Sequence, residues 1–330
     1  MAIMRYAEAL RLAMTEEMER DPNVFICGEE VAQYQGTFRV TEGMYQKFQK
    51  ENHGLRVLDT PISEAAIVGL ATGAAMAGLR PIAEFMTWSF ALVAMDQIIN
   101  HTAKIHYMSG GTCKVPVVLR GPAGAGNQLS AQHSQSLESW YAHIPGLKVV
   151  LPSTASDAKG LLKTAIRDDN PVIFMEHAGL YQQRGEVSED PNFTIPFGVA
   201  DIKRTGKDVT IVSYSNQVRH CISAADKIAA ETGIECEVID LRTLIPLDMA
   251  AVVRSVEKTH RAVVVHEEWK SVGFGAELAS RIYEEAFDSL DAPVERVGGP
   301  FVPMPYSKPL ERAAIPHEED IYAAIKRVLG

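Results

Sequence analysis

Short apolar runs that stop at glycine or proline recur along the chain, separated by stretches of helical periodicity, and this alternation restricts the fold more than any other feature. Residues 24–28, 81–85, 115–120, 147–151 and 171–175 read as buried strands; residues 64–78, 89–107 and 154–167 read as helices. Strands apolar on both faces need helices on both faces, so the order predicts βαβ units and a mostly parallel sheet. Over 180–200 the periodicity fades and polar residues gather with Pro191 and Pro196, which predicts a surface linker. A second series follows, with strands at 208–213, 235–240, 262–267 and 292–297 and helices at 217–232, 246–258, 275–287 and from His317. The expected fold class is α/β, with two parallel-sheet domains at residues 1–190 and 191–330. Ile3, Ala7, Leu10, Met14 and Met18 share one helical face and predict an opening helix.

Charge narrows the function classes. Lys plus Arg number 32 against 42 for Asp plus Glu, a net charge of −10. Nucleic acid is a poor partner for such a surface, because neutralising phosphates needs basic side chains; proteins and small molecules are expected instead. The longest charge-free apolar run, 65–79, falls short of the roughly 20 residues that span a bilayer, so no membrane segment is expected. Glu8, Glu16 and Glu17 disfavour a secretory or transit leader. Cys27, Cys113, Cys221 and Cys236 are scattered, form no CxxC and suit a reducing compartment.

Several tempting motifs are incomplete. The glycines at 110–111, 121–126 and 273–275 never complete GxGxxG, and Gly206-Lys207 is followed by Asp208 rather than Ser or Thr. No Gly-Asp-Gly followed some 25 to 30 residues later by Asn, a pattern that holds a metal and diphosphate in thiamine enzymes, is present. His266-Glu267-Glu268-Trp269 lacks the second histidine of a zinc-protease helix, and no GxSxG elbow occurs.

The segment DTPISE at 59–64 is more informative. Thr60 can cap a helix whose first residue is Pro61, which leaves Glu64 in the first turn. One reading is a simple charge–dipole contact at a helix N-terminus. The other follows from the helix behind it, AAIVGLATGAAMAGL, which is apolar nearly all round. A desolvated carboxylate there would suit hydrogen bonding or proton transfer. His133 follows a glycine-rich loop beyond an apolar strand, where open α/β sheets take ligands, although a structural histidine fits as well. Phe85, Met86, Trp88 and Phe90 are either core or the wall of a pocket.

Taken together, DTPISE at 59–64, the run at 73–100, YMSGG at 107–111, RGPAGAG at 120–126, AQHSQS at 131–136, the run at 145–177, DLRTLIPLD at 240–248 and VVHEEW at 264–269 resemble the beta-subunit family of the thiamine-dependent pyruvate dehydrogenase component. The resemblance implies a transketolase-like pyrimidine-binding domain followed by a transketolase C-terminal domain. It also implies thiamine diphosphate shared with an alpha subunit that holds magnesium, an alpha-two beta-two heterotetramer, and docking on a dihydrolipoamide acetyltransferase core. By the same resemblance Glu64 hydrogen-bonds the aminopyrimidine ring and promotes its imino tautomer, Met86 and Phe90 line the pyrimidine pocket, and Tyr107 lies near the cofactor. His133 matches a histidine that assists proton transfer and reductive acylation of the lipoyl group. Val117, Ala165, Ile166, Asp168 and Asn170 match positions whose oxygens hold potassium in family members.

Pyruvate is the expected substrate, with acetoin and branched-chain 2-oxoacids as the alternatives within the family. A non-catalytic docking subunit is the alternative outside it. The compartment implied is the bacterial cytoplasm, or the mitochondrial matrix for a processed chain.

Overall fold

In the computed structural model, which describes residues 1–49 and 55–330, the apolar runs of the first half become the strands of one sheet. The strands are β1 (Ala2–Arg5), β2 (Val24–Gly28), β3 (Val57–Asp59), β4 (Arg80–Glu84), β5 (Val118–Ala123), β6 (Lys148–Val150), β7 (Val172–His177) and β8 (Arg184–Val187). Six of them run in the order β6-β7-β5-β4-β2-β3, every neighbouring pair parallel. The helices are α1 (Tyr6–Arg20), α2 (Met44–Gln49), α3 (Glu64–Met76), α4 (Ile105–Met108), α5 (Glu138–Ala142) and α6 (Ala155–Arg167). Leu10, Met14 and Met18 of α1 share a core with Leu161, Leu162 and Ile166 of α6 and Ile26, Ile82 and Phe174 of the sheet. Each large apolar side chain so buried stabilises the fold by about 1.5–3 kcal/mol.

The chain divides into two units, Met1–Ala123 with Trp140–Phe197, and Gly124–Ser139 with Gly198–Gly330. Residues 124–139, inside the expected first domain of 1–190, therefore group with the second unit. That unit carries β9 (Asp201–Arg204), β10 (Val209–Ser213), β11 (Cys236–Asp240), β12 (Thr243–Ile245), β13 (Ala262–Trp269) and β14 (Glu295–Gly299). Its helices are α7 (Gln217–Thr232), α8 (Met249–Thr259), α9 (Phe274–Ala286), α10 (Lys308–Ala313) and α11 (Glu318–Leu329). Its sheet runs β14-β13-β10-β11-β9, parallel except for β9, which pairs antiparallel with β11 at the edge. The in–out alternation of a half-exposed strand is absent from β10 and β11, whose residues are all buried, as strands covered on both faces require. Cys221 and Cys236 lie in this core and Cys27 in the other, all free thiols pushed up to about 12 by burial.

Three local expectations are corrected. Ile3 is not on the opening helix: it belongs to β1, is 70% exposed and pairs with Glu186 of β8, which in turn makes part of the expected linker a strand. Residues 89–107 are not one helix but a 3-10 turn (Trp88–Ala94), a π turn (Gln97–Thr102) and α4. The Thr102 hydroxyl donates to the Gln97 carbonyl five residues back, which stabilises the wider turn. The third, the start of the helix that carries Glu64, is described with its site below. Among the described residues, no helix is long and apolar enough to cross a membrane.

Candidate functional site

The carboxyl ends of β2, β3 and β4 crowd together in the first unit. A Cβ on Gly28 would lie 2.6 Å from the Glu84 carbonyl oxygen, and one on Gly121 would lie 2.4 Å from the Phe85 oxygen, so only glycine permits these approaches. The Thr60 N–H donates to the Gly28 oxygen at 2.9 Å, prolonging the β2–β3 ladder past its last paired residues. This keeps Thr60 and Pro61 out of the helix; α3 instead begins at Glu64, with Ser63 as its extended N-cap, a correction of three residues. Asp59 accepts from the backbone N–H groups of Ala32 (2.7 Å) and Gln33 (3.2 Å), tying the loop after β2 to the end of β3.

This arrangement brings Glu64 and Glu29 within electrostatic reach. Both are buried, at 8% and 5% exposure. Burial, and then the charge of Glu64, push the Glu29 carboxyl up. Glu29 Oε1 is buried without a hydrogen-bond partner among the described residues. An orphaned acceptor beside a second carboxylate fits a ligand that brings N–H donors, as an aminopyrimidine does. Sequence reasoning found Glu64 and missed Glu29; its signal was a Glu pair directly after an apolar run that ends at glycine.

Beneath these strand ends lies a charge cluster that the sequence reading also missed. Arg120 of β5 is fully buried and binds Glu84 of β4 and Glu176 of β7, and the Tyr181 hydroxyl donates to Glu176 at 2.7 Å. Burial opposes the Arg120 charge, yet Glu176 and Glu84 outweigh it and raise the guanidinium pKa. Burial raises the Glu84 carboxyl in turn.

Of the remaining expected residues in this unit, Met86 and Phe90 are half-buried, whereas Phe85 and Trp88 are core, stacked edge-on with centroids 5.1 Å apart. Tyr107 is 86% exposed on α4. At the C-terminal end of α6 the Ile166 and Asp168 carbonyls each accept from Arg80 Nη1 at 3.0 Å. The Val117 carbonyl accepts from the Val172 N–H at 2.9 Å and that of Ala165 from the Asp168 N–H at 3.3 Å. Asn170 donates through both nitrogens to the Asp168 carboxylate at 2.8 Å. Carbonyls at the negative end of a helix suit a hard cation in donor chemistry, and Arg80 on the carbonyls and Lys148 on the Asp168 carboxylate already place positive charge there.

The second unit holds His133, exposed on the loop within the segment 124–139, whose last two residues begin α5. Carboxylates grip this loop by its backbone. Glu267 accepts from the Ala125 N–H (2.8 Å) and the Ser136 hydroxyl (3.3 Å). Glu311 accepts from the N–H groups of Gly126 (3.1 Å) and Gln128 (2.9 Å), and Glu268 accepts from that of Ser139 (3.2 Å). Next to them Glu138 accepts from the Tyr214 hydroxyl at 3.0 Å. Burial pushes the Glu138 carboxyl well up and the charge of Glu268 adds to this; burial also raises Glu268. Gln128 and Ser130 hold left-handed backbone with φ of 55° and 66°, a strain of about 1–3 kcal/mol each that persists only where the surroundings enforce it.

Comparison with known proteins places these features in a family. Residues 3–184 match the transketolase pyrimidine binding domain and residues 198–321 the transketolase C-terminal domain. The pyruvate dehydrogenase E1 component subunit beta of Rickettsia felis is 53% identical over 321 residues, 97% of each chain. That of Rhizobium meliloti is 52% identical over 328 residues, covering 99% of this chain and 70% of its own. The mitochondrial subunit of Rattus norvegicus is 51% identical over 327 residues, covering 98% and 90%. A solved split-gene transketolase, described as an inactive beta4 tetramer, shares the fold with a TM-score of 0.80 at 23% identity, over 99% of this chain and 98% of that one.

Proposed function

The chain belongs to the beta-subunit family of the pyruvate dehydrogenase E1 component, and from that premise we propose that, with an alpha subunit, it decarboxylates pyruvate and transfers the acetyl group to lipoamide on an acetyltransferase core. The family depends on thiamine diphosphate, which when bound supplies an electron sink for the carbanion left by loss of carbon dioxide. Glu64 hydrogen-bonds the pyrimidine ring and sets its protonation. Glu29 takes part as a neighbouring acceptor whose raised pKa favours holding a proton near that ring. Met86 and Phe90 wall the pocket, Tyr107 stands near the cofactor, and His133 moves protons during acyl transfer to the lipoyl group. Magnesium and the diphosphate are held by the alpha subunit in an alpha-two beta-two assembly. Potassium at the oxygens of Val117, Ala165, Ile166, Asp168 and Asn170 serves stability alone. The compartment is the bacterial cytoplasm, or the mitochondrial matrix for an organellar chain.

The observation that supports this reading most is the buried Glu64 leading α3 beside the unpartnered Glu29 Oε1. The test is pyruvate-dependent reduction of an artificial electron acceptor, with thiamine diphosphate and magnesium, by this chain alone and with its alpha subunit. Activity in the pair and none in the chain alone is expected. Turnover of acetoin or branched-chain 2-oxoacids in place of pyruvate would overturn the substrate, and inactivity on all of them would leave only a docking subunit.

A further inference from the structure

We propose that Glu311 is a positioning residue for His133, anchoring the histidine-bearing loop by its backbone at the left-handed turn that precedes the histidine. Glu311 lies on the short helix α10 and is 3% exposed. A carboxylate that buried is costly unless donors surround it. The donors here are backbone N–H groups: Oε1 accepts from Gly126 at 3.1 Å and Gln128 at 2.9 Å, and Oε2 accepts from Gln128 at 3.2 Å.

The conformation these bonds hold is one the chain would not keep unaided. Gly126 has φ of 100°, and Gln128 and Ser130, both with side chains, have φ of 55° and 66°. Left-handed backbone at residues with a Cβ is disfavoured, so releasing Gln128 removes what holds the turn. His133 lies between this tether and the next, where the Ser136 hydroxyl meets Glu267. Glu267 holds the loop at Ala125, ahead of the turn, and at Ser136, after the histidine; Glu311 holds the turn itself, at Gly126 and Gln128. Without Glu311 the approach to His133 is free to relax, and a displacement of about 1 Å in a reacting group can cost roughly 100-fold in rate.

The inference rests on the proposed role of His133 in acyl transfer. Its test uses the assembled alpha–beta enzyme on its acetyltransferase core and reads kcat for lipoyl acetylation and KM for pyruvate in E311A, E311Q, H133A and the double variant. E311A is expected to lower kcat by roughly 10- to 100-fold with KM for pyruvate little changed. E311Q, which keeps one acceptor oxygen, recovers most of that loss. The double variant is no slower than H133A, because the two act through one group. If E311A does not assemble, E311D, whose carboxylate is one methylene short of the two N–H groups, takes its place in the same cycle with H133A, with the same outcomes expected. Wild-type kcat in E311A, or losses that multiply in the double variant, would overturn the proposal while leaving the role of His133 standing. Full turnover in H133A would overturn that role, and this inference with it.

Discussion

Glu64 stands where parallel strands end, held by the start of a helix and by glycines that let three backbones touch, whereas His133 rides a loop gripped through its N–H groups by distant carboxylates. The first arrangement is rigid because regular elements set it; the second depends on a few charge-assisted hydrogen bonds. On the proposed role of Glu64, a group that fixes ring protonation gains from a wall that does not move. On the proposed role of His133, a group that meets an arriving lipoyl arm is served by a loop whose strain is held in check by few contacts. The difference also separates their failure modes: damage to the groups that support the first region should unfold its surroundings, and damage to the tethers of the second should misplace one side chain.

The largest effect is expected from Arg120→Met. It leaves Glu84 and Glu176 buried without their cation, and removing one partner of such a cluster costs about 3–5 kcal/mol. Denaturant unfolding of the assembled protein should show a lower midpoint by that order. A loss under about 1 kcal/mol would mean the pillar under the strand ends is not what holds them. Next in size, His133→Ala should reduce lipoyl acetylation by roughly 100-fold with the unfolding midpoint unchanged, the expected mark of a loop residue. A variant that lost stability instead would erase the contrast between the two regions.

A smaller effect is set by pH. His266 lies in β13, immediately before the tethering residues Glu267 and Glu268. Burial, then the charges of Arg296 and Lys270, lower its pKa from 6.5 to about 4, and neither ring nitrogen has a partner among the described residues. A base depressed in the folded state lends stability that is full above 6.5 and lost as the pH falls toward 4. Between pH 7 and 5 the loss from this group is about 2 kcal/mol. The raised carboxyls Glu138 and Glu268 work in the opposite direction, so the contribution is read as a difference. The wild type should lose more stability than His266→Asn over that interval, and equal slopes would contradict the assignment. Smallest is the cation: exchanging potassium for sodium should lower the thermal midpoint of the assembled enzyme by a few degrees, about 1 kcal/mol, without changing turnover at ambient temperature. No shift would remove potassium from the account.

How much of this was legible in the sequence follows from the same contrast. DTPISE and the apolar runs are local signals, and they located Glu64 and most strands. The periodicity starts α3 at Glu64, as the structure has it, whereas the capping residues point to Pro61, because the bond from Thr60 to Gly28 is a property of the sheet, invisible to a reading of capping residues. β1 and β8 escaped notice for a similar reason: each is four residues long, and its partner lies at the other end of the unit. Glu84, Arg120 and Glu176 each stood alone as a charge in an apolar strand, a signal visible in advance, but nothing local said that the three meet. Glu267 and Glu268 read as an acidic pair at a strand end, and Glu311 sits in a short mixed stretch with no pattern. Their targets are backbone N–H groups, which every residue but proline carries and no sequence marks.

On the proposed function, Glu64 acts on the cofactor ring from a fixed place at the sheet's end. The direct measurement is Glu64→Gln in the assembled alpha–beta enzyme, with pyruvate-dependent acceptor reduction, thiamine diphosphate affinity and assembly read on one preparation. An intact assembly that still binds the cofactor and turns over at least about 100-fold more slowly is expected. Turnover close to that of the wild type would contradict that role.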